Sequence, residues 1–127
     1  MAQKILLIAG ESSGDLHGAA LAQALKTARP SLKLLGLGGP QMKEAGVSIL
    51  ADPTRLAVVG LVEVLKHLRK FRELFRQAVD ALDQEQPDLV ILIDYPGFNL
   101  RLAREVHRRG IRLVYYISPQ LWAWDPG

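Results

Sequence analysis

Four apolar-rich runs punctuate the chain, at Ile5–Ala9, Leu32–Leu37, Leu89–Ile93 and Leu113–Ile117, and each predicts a β-strand. Between them apolar residues recur at three- and four-residue steps, which predicts helices. The clearest case begins at Leu61 and continues through Val64, Leu65, Leu68, Phe71, Phe75, Ala78 and Leu82, with lysines and arginines on the other faces. Strands that are apolar at consecutive positions are buried on both sides, so the order strand, helix, strand, helix predicts a parallel sheet covered by helices through right-handed crossovers. The fold class expected is α/β, doubly wound and Rossmann-like. Pro30, Pro53, Pro87 and Pro96 fall at element ends, and no internal repeat or linker interrupts the 127 residues, so one domain is expected.

Composition narrows this picture. With 49% hydrophobic and 23% charged residues the chain can bury a real core. It has no cysteine, which excludes disulfides and thiolate metal sites. His17, His67 and His107 lie far apart in sequence, so neither a metal site nor a cofactor is expected. The longest apolar run, Leu89–Ile93, is far short of the roughly 20 residues of a membrane-spanning helix, and the N-terminus does not read as a signal peptide. A soluble protein is expected, at most resting on a membrane surface. Net charge is only +3, but the basic residues are grouped: Lys66, Arg69, Lys70, Arg72 and Arg76 in one set, Arg101, Arg104, Arg108, Arg109 and Arg112 in another. Such groups suit an anionic partner (phosphate, nucleic acid or acidic lipid) or form two solvated helix faces.

In doubly wound sheets ligands bind outside the carboxyl ends of the strands, so the loops after the strands carry the candidate chemistry. After the first strand comes Gly10-Glu11-Ser12-Ser13-Gly14-Asp15. It has neither GxGxxG nor a lysine-serine pair, and its two carboxylates would repel a pyrophosphate while suiting sugar hydroxyls. Ser12, Ser13 or Asp15 could instead cap the helix that follows. After the second strand, Gly38-Gly39-Pro40-Gln41-Met42 places a proline at a helix start. The loop Asp94-Tyr95-Pro96-Gly97-Phe98-Asn99 ends the most apolar strand. Desolvation there would tend to raise the Asp94 carboxyl pKa toward the range of a general base, and Asn99 can cap the next helix. After the last strand, Ser118-Pro119 breaks the run, and Trp122 and Trp124 offer aromatic faces for sugar rings or acyl chains.

Taken together these blocks resemble the lipid-A-disaccharide synthases, bacterial glycosyltransferases that join two acylated glucosamine units. The matching residues are GESSGDLHGA (10–19), GGPQM (38–42), LAVVGLVEVL (56–65), DYPGFNLRLA (94–103) and YYISPQLWAW (115–124). The resemblance implies the acceptor-binding half of an enzyme with two facing Rossmann-like domains (GT-B type). It further implies inverting transfer of 2,3-diacylglucosamine from its UDP conjugate to the 6-hydroxyl of 2,3-diacylglucosamine 1-phosphate. Carried over, Asp94 is the general base. Glu11, Ser13 and Asn99 bind or orient the acceptor, and both carboxylates of GESSGD face it. Val64, Leu65 and Leu68 meet the anionic inner membrane of a Gram-negative-type bacterium from its cytoplasmic side. Nucleic acid is not an expected partner. The donor domain would lie outside these 127 residues, so this chain alone is expected not to catalyse transfer. Asp125 departs from the family pattern, which tends to a basic residue there. Two other readings stay open: a non-catalytic binding or folding fragment that self-associates through apolar surface near Val58–Leu65, and a nucleotide-binding Rossmann module with affinity for UDP or NAD.

Overall fold

The computed structural model describes residues 3–55 and 60–116, with Arg55 and residues 60–67 described by their backbone alone. The elements run β1 (Lys4–Ala9), α1 (Ser12–Ala28), β2 (Lys33–Leu37), α2 (Pro40–Glu44), β3 (Ser48–Ala51), a 3-10 turn (Pro53–Arg55), α3 (Gly60–Glu85), β4 (Leu89–Ile93), α4 (Pro96–Arg108) and β5 (Arg112–Tyr116). The sheet is parallel at every pairing, in the order β3-β2-β1-β4-β5. This is the doubly wound arrangement anticipated from the apolar runs, with one strand more. β3 escaped the pattern because it is an edge strand of four residues in which exposed and half-buried positions alternate. Its entry is marked by Gly46 at φ 100°, a left-handed turn that glycine adopts without a Cβ penalty. Ile117, expected to end the last strand, lies outside the described residues.

Side-chain alternation splits the core into two layers. On one face Ile5, Leu7 and Ala9 of β1 and Ile91 and Ile93 of β4 pack with Ala19 and Ala22 of α1 and Met42 of α2. On the other, Leu6, Ile8, Val90 and Leu92 meet Leu74, Ala78 and Leu82 of α3 and Phe98, Leu102 and Val106 of α4. The central strands β1 and β4 are therefore covered on both faces, which is why their sequences show no polar alternation. α3 and α4 are joined at their far ends by Arg109, whose guanidinium donates to both carboxylate oxygens of Asp83 (2.7 and 3.2 Å) and to Glu105 (2.9 Å). These hydrogen bonds hold the Asp83 and Glu105 carboxyls below their usual range.

Candidate active site

The register fixes where the loops meet. Ala9 of β1 lies opposite Ile93 of β4, so Glu11 stands two residues beyond one strand end and Asp94 one residue beyond its neighbour. Here the strand order reverses: the chain leaves β1 toward α1 on one face and leaves β4 toward α4 on the other. Diverging connections open a crevice at such a switch point, and this is where α/β sheets bind ligands.

Asp94 is half-buried, and its backbone is left-handed, with φ 46°. Tyr95 follows at φ 54°, so two consecutive residues other than glycine occupy a region that costs roughly 1–3 kcal/mol each. Hydrogen bonds from β5 and α4 hold this turn. The Asp94 N–H donates to the Tyr116 carbonyl (2.9 Å), and the Asp94 carbonyl accepts from Asn99 Nδ2 (2.8 Å) and the Tyr115 hydroxyl (2.9 Å). The Asn99 N–H donates to the Tyr95 carbonyl (2.9 Å), starting α4.

Tyr95 ties this turn to the first loop. Its ring stacks on Phe98 at 5.5 Å between centroids, and Phe98 in turn meets Phe71 and Phe75 of α3 edge-on at 5.2 and 5.5 Å. The Tyr95 ring also lies against Gly10, where an added Cβ would sit 2.0 Å from a ring carbon. Glycine is required there by this close approach. Burial, and then the charge of the exposed Glu11, push the Tyr95 phenol above its ordinary pKa. Gly10→Ala is expected to drive Tyr95 off its stack with Phe98. It should lower stability by roughly 1–3 kcal/mol, as overpacking does, and weaken the near-ultraviolet circular dichroism while the far-ultraviolet spectrum is kept.

Two expectations from the sequence are corrected. Asp15 neither caps α1 nor faces the crevice: it is 3% exposed, and the N-cap position of α1 belongs to Glu11, with no side-chain cap. Its carboxylate accepts from the backbone N–H groups of Gly39 (2.8 Å), Gln41 (3.0 Å) and Met42 (2.9 Å). It therefore caps α2, whose own N-cap residue, Gly39, has no side chain to offer. The helix start expected at Pro40 is present, but its cap comes from a residue 24 positions earlier in the chain. Asn99 likewise does not cap α4, since Tyr95 occupies that position. It is completely buried, and its amide nitrogen reaches the carbonyls of Ile8 (3.4 Å), Ile93 (3.3 Å) and Asp94 (2.8 Å), bridging the ends of β1 and β4.

Glu11 and Ser13 are exposed at the entrance to α1, on the rim of the crevice. Nearby, the His17 and Tyr116 rings approach to 6.2 Å, which brings α1 and the end of β5 together at that rim. On the α4 side a groove of about 550 Å³ opens between α3 and α4, lined by Leu68, Phe71, Arg72, Phe75, Gly97 and Arg101. Phe71 and Phe75 also touch Phe98, so the groove and the Tyr95 stack share a wall. Leu68 is 54% exposed. Arg72 and Arg101 are exposed, and neither pairs with a carboxylate among the described residues. Val64 and Leu65 lie outside the described side chains, and Trp122, Trp124 and Asp125 outside the described residues. Among the described residues no group of three or more His, Asp or Glu side chains is placed to hold a metal ion, and no helix is long and apolar enough to cross a membrane.

The sequence carries the same assignment as the resemblance of its loops. Residues 5–127 match the family model described as lipid-A-disaccharide synthetase. The chain is 49% identical over 125 residues to a lipid-A-disaccharide synthase of Trichlorobacter lovleyi and 50% identical over 125 residues to one of Coxiella burnetii. Each alignment covers 98% of this chain and 33% of the relative, so the chain spans about a third of the length of the curated relatives it matches. Two solved structures share the fold at low identity. The C-terminal domain of PF1911 hydrogenase from Pyrococcus furiosus superposes with a TM-score of 0.69 at 18% identity, covering 90% of each chain. CalG4, the calicheamicin glycosyltransferase, superposes with a TM-score of 0.57 at 21% identity, covering 92% of this chain and 32% of that one. A family match across nearly the whole length, on a doubly wound fold with the family's loops at its switch point, places this chain in the lipid-A-disaccharide synthetase family.

Proposed function

We propose that this chain is the acceptor-binding part of a lipid-A-disaccharide synthase and that Asp94 is its general base. The observation that carries this reading is the position of Asp94: it follows the end of strand β4 beside the end of β1, on a backbone held by three hydrogen bonds, with Glu11 two residues beyond the neighbouring strand end. In the reaction proposed, the 6-hydroxyl of 2,3-diacylglucosamine 1-phosphate gives its proton to the Asp94 carboxylate. The oxygen forms a bond to the anomeric carbon of UDP-2,3-diacylglucosamine, and the bond from that carbon to the UDP oxygen breaks, its electron pair leaving with UDP. Attack from the face opposite UDP inverts the anomeric centre. Glu11 and Ser13 accept hydrogen bonds from other acceptor hydroxyls. Asn99, being buried, acts on the acceptor only through the turn that it holds.

The groove between α3 and α4 suits an amphiphile: Leu68, Phe71 and Phe75 offer an apolar wall, and Arg72 and Arg101 offer exposed guanidinium groups at its edge. An acyl chain of the acceptor would lie against the apolar wall, with an anionic headgroup or the acceptor phosphate beside the arginines. The same surface, with Leu68 exposed on it, would rest the protein on the cytoplasmic face of an anionic membrane. Vesicle co-sedimentation tests this. Vesicles doped with 2,3-diacylglucosamine 1-phosphate are expected to retain the wild-type chain. Arg72→Gln with Arg101→Gln should weaken binding about 30-fold, at about 1 kcal/mol per basic residue near such a surface. Equal binding to neutral phosphatidylcholine vesicles, or competition by UDP, would contradict the reading and favour a nonspecific apolar patch or a nucleotide module.

A further inference from the structure

We infer that Tyr115 is a positioning residue for Asp94, fixing from β5 the direction in which the carboxylate is presented. The inference rests on the reading of Asp94 as general base. In the sheet register Tyr115 lies opposite Leu92, two residues before Asp94, and its hydroxyl reaches forward past Ile93 to the Asp94 carbonyl at 2.9 Å. Asn99 Nδ2 reaches the same oxygen at 2.8 Å from α4. One carbonyl oxygen has two lone pairs, and here both are taken by side chains from different elements. With the Asp94 N–H held by the Tyr116 carbonyl, the peptide groups on either side of the Asp94 Cα are fixed.

That matters because the conformation held is an uncommon one. At φ 46° the Asp94 backbone is left-handed, and Tyr95 is left-handed after it. With the Asp94 N–H held by the Tyr116 carbonyl, a return of φ at Asp94 to negative values would swing both its Cα–Cβ bond and its carbonyl away from their present directions. The two donors to its carbonyl oppose that rotation. The phenol is suited to this: burial, and then the Asp94 charge, push its pKa above the ordinary value, so it stays protonated and donating across the working pH range. Tyr115 is also the cleaner probe of the pair. Asn99 bridges two further carbonyls, those of Ile8 and Ile93, so its loss would disturb β1 and β4 as well. The Tyr115 ring packs against the core from β5, and phenylalanine keeps that ring while removing the hydroxyl.

The test is a double-mutant cycle in a full-length synthase carrying this sequence. Tyr115→Phe is expected to lower kcat about 10-fold, the scale of loss from a displacement of well under 1 Å at a reacting group, with the KM of both substrates within about two-fold. Melting should change little, and the amide signals of Asp94 and Tyr95 should shift while those of Lys4 to Ile8 in β1 stay. In the Asp94→Asn background Tyr115→Phe should bring no further loss, because a residue that acts through Asp94 has nothing left to position. An unchanged kcat in Tyr115→Phe, or an additive loss in the double variant, would overturn the inference and leave the base assignment standing. Near-wild-type turnover by Asp94→Asn would overturn the base assignment itself and the inference with it. If Tyr115→Phe lowers the melting temperature enough to confuse the kinetics, the Asp94 and Tyr95 amide shifts below that temperature decide, and unmoved signals there also overturn the inference.

Discussion

Asp94→Asn, placed in a full-length synthase carrying this sequence, will lower kcat for disaccharide formation by roughly 10²- to 10⁴-fold, the span of general acid–base contributions. The change removes a proton acceptor and keeps the backbone hydrogen bonds of the turn, which run through the N–H and carbonyl of residue 94. Acceptor affinity should therefore stay within a few-fold of wild type. A loss of that size in kcat with binding intact separates a proton acceptor from a residue that only binds the sugar. Steady-state kinetics with both substrates varied is the measurement. A loss in acceptor KM alone would reassign Asp94 to binding.

The second large effect is on stability and lies away from the crevice. Asp15→Ala will destabilise the chain by roughly 3–5 kcal/mol, because three backbone N–H groups lose a charged acceptor at once and an unmet buried donor costs about 1–3 kcal/mol. Gly39 and Met42 donate in buried bonds, while the Gln41 bond is partly buried, so water can replace the carboxylate for only part of the set. For a domain of this size such a loss lowers the melting temperature by about 10–20 °C, readable by far-ultraviolet circular dichroism. Asp15→Asn should fall between, since one oxygen can still accept while the amide nitrogen meets an N–H group. A change below about 1 kcal/mol in Asp15→Ala would mean that α2 finds another cap.

The strands that were legible from the sequence are those buried on both faces. Leu89–Ile93 is apolar at every position because helices cover both of its sides. β3 was not legible, because a four-residue edge strand with alternate positions exposed carries little hydrophobic signal. The loops that meet at the crevice could be named from their place after the strands, and the register of β1 on β4 then brought Glu11 and Asp94 to neighbouring strand ends. What could not be read was which polar side chains face inward. Asp15 and Glu11 are four positions apart in one motif, yet one is 3% exposed and the other lies open to solvent. A trace of the difference is present in the sequence. Gly39-Pro40 starts a helix with no capping side chain of its own, so an acceptor had to come from elsewhere, and Asp15 sits between two glycines, Gly14 and Gly18, that are themselves buried against neighbouring strands and α2. Tyr115 left no such trace. Its hydroxyl finds the Asp94 carbonyl only through the β4–β5 register, a tertiary fact that a local pattern does not encode.

We propose that the switch-point crevice of this chain receives an acylated glucosamine phosphate. The most direct measurement is a chemical-shift titration of the chain with detergent-dispersed 2,3-diacylglucosamine 1-phosphate and, separately, with UDP. The glycolipid is expected to move the amide signals of Glu11, Ser13, Asp94 and Gly97, in wild type and in Asp94→Asn alike, while UDP moves none of them. Shifts at these amides with UDP, or glycolipid shifts confined to other surfaces, would contradict the proposal.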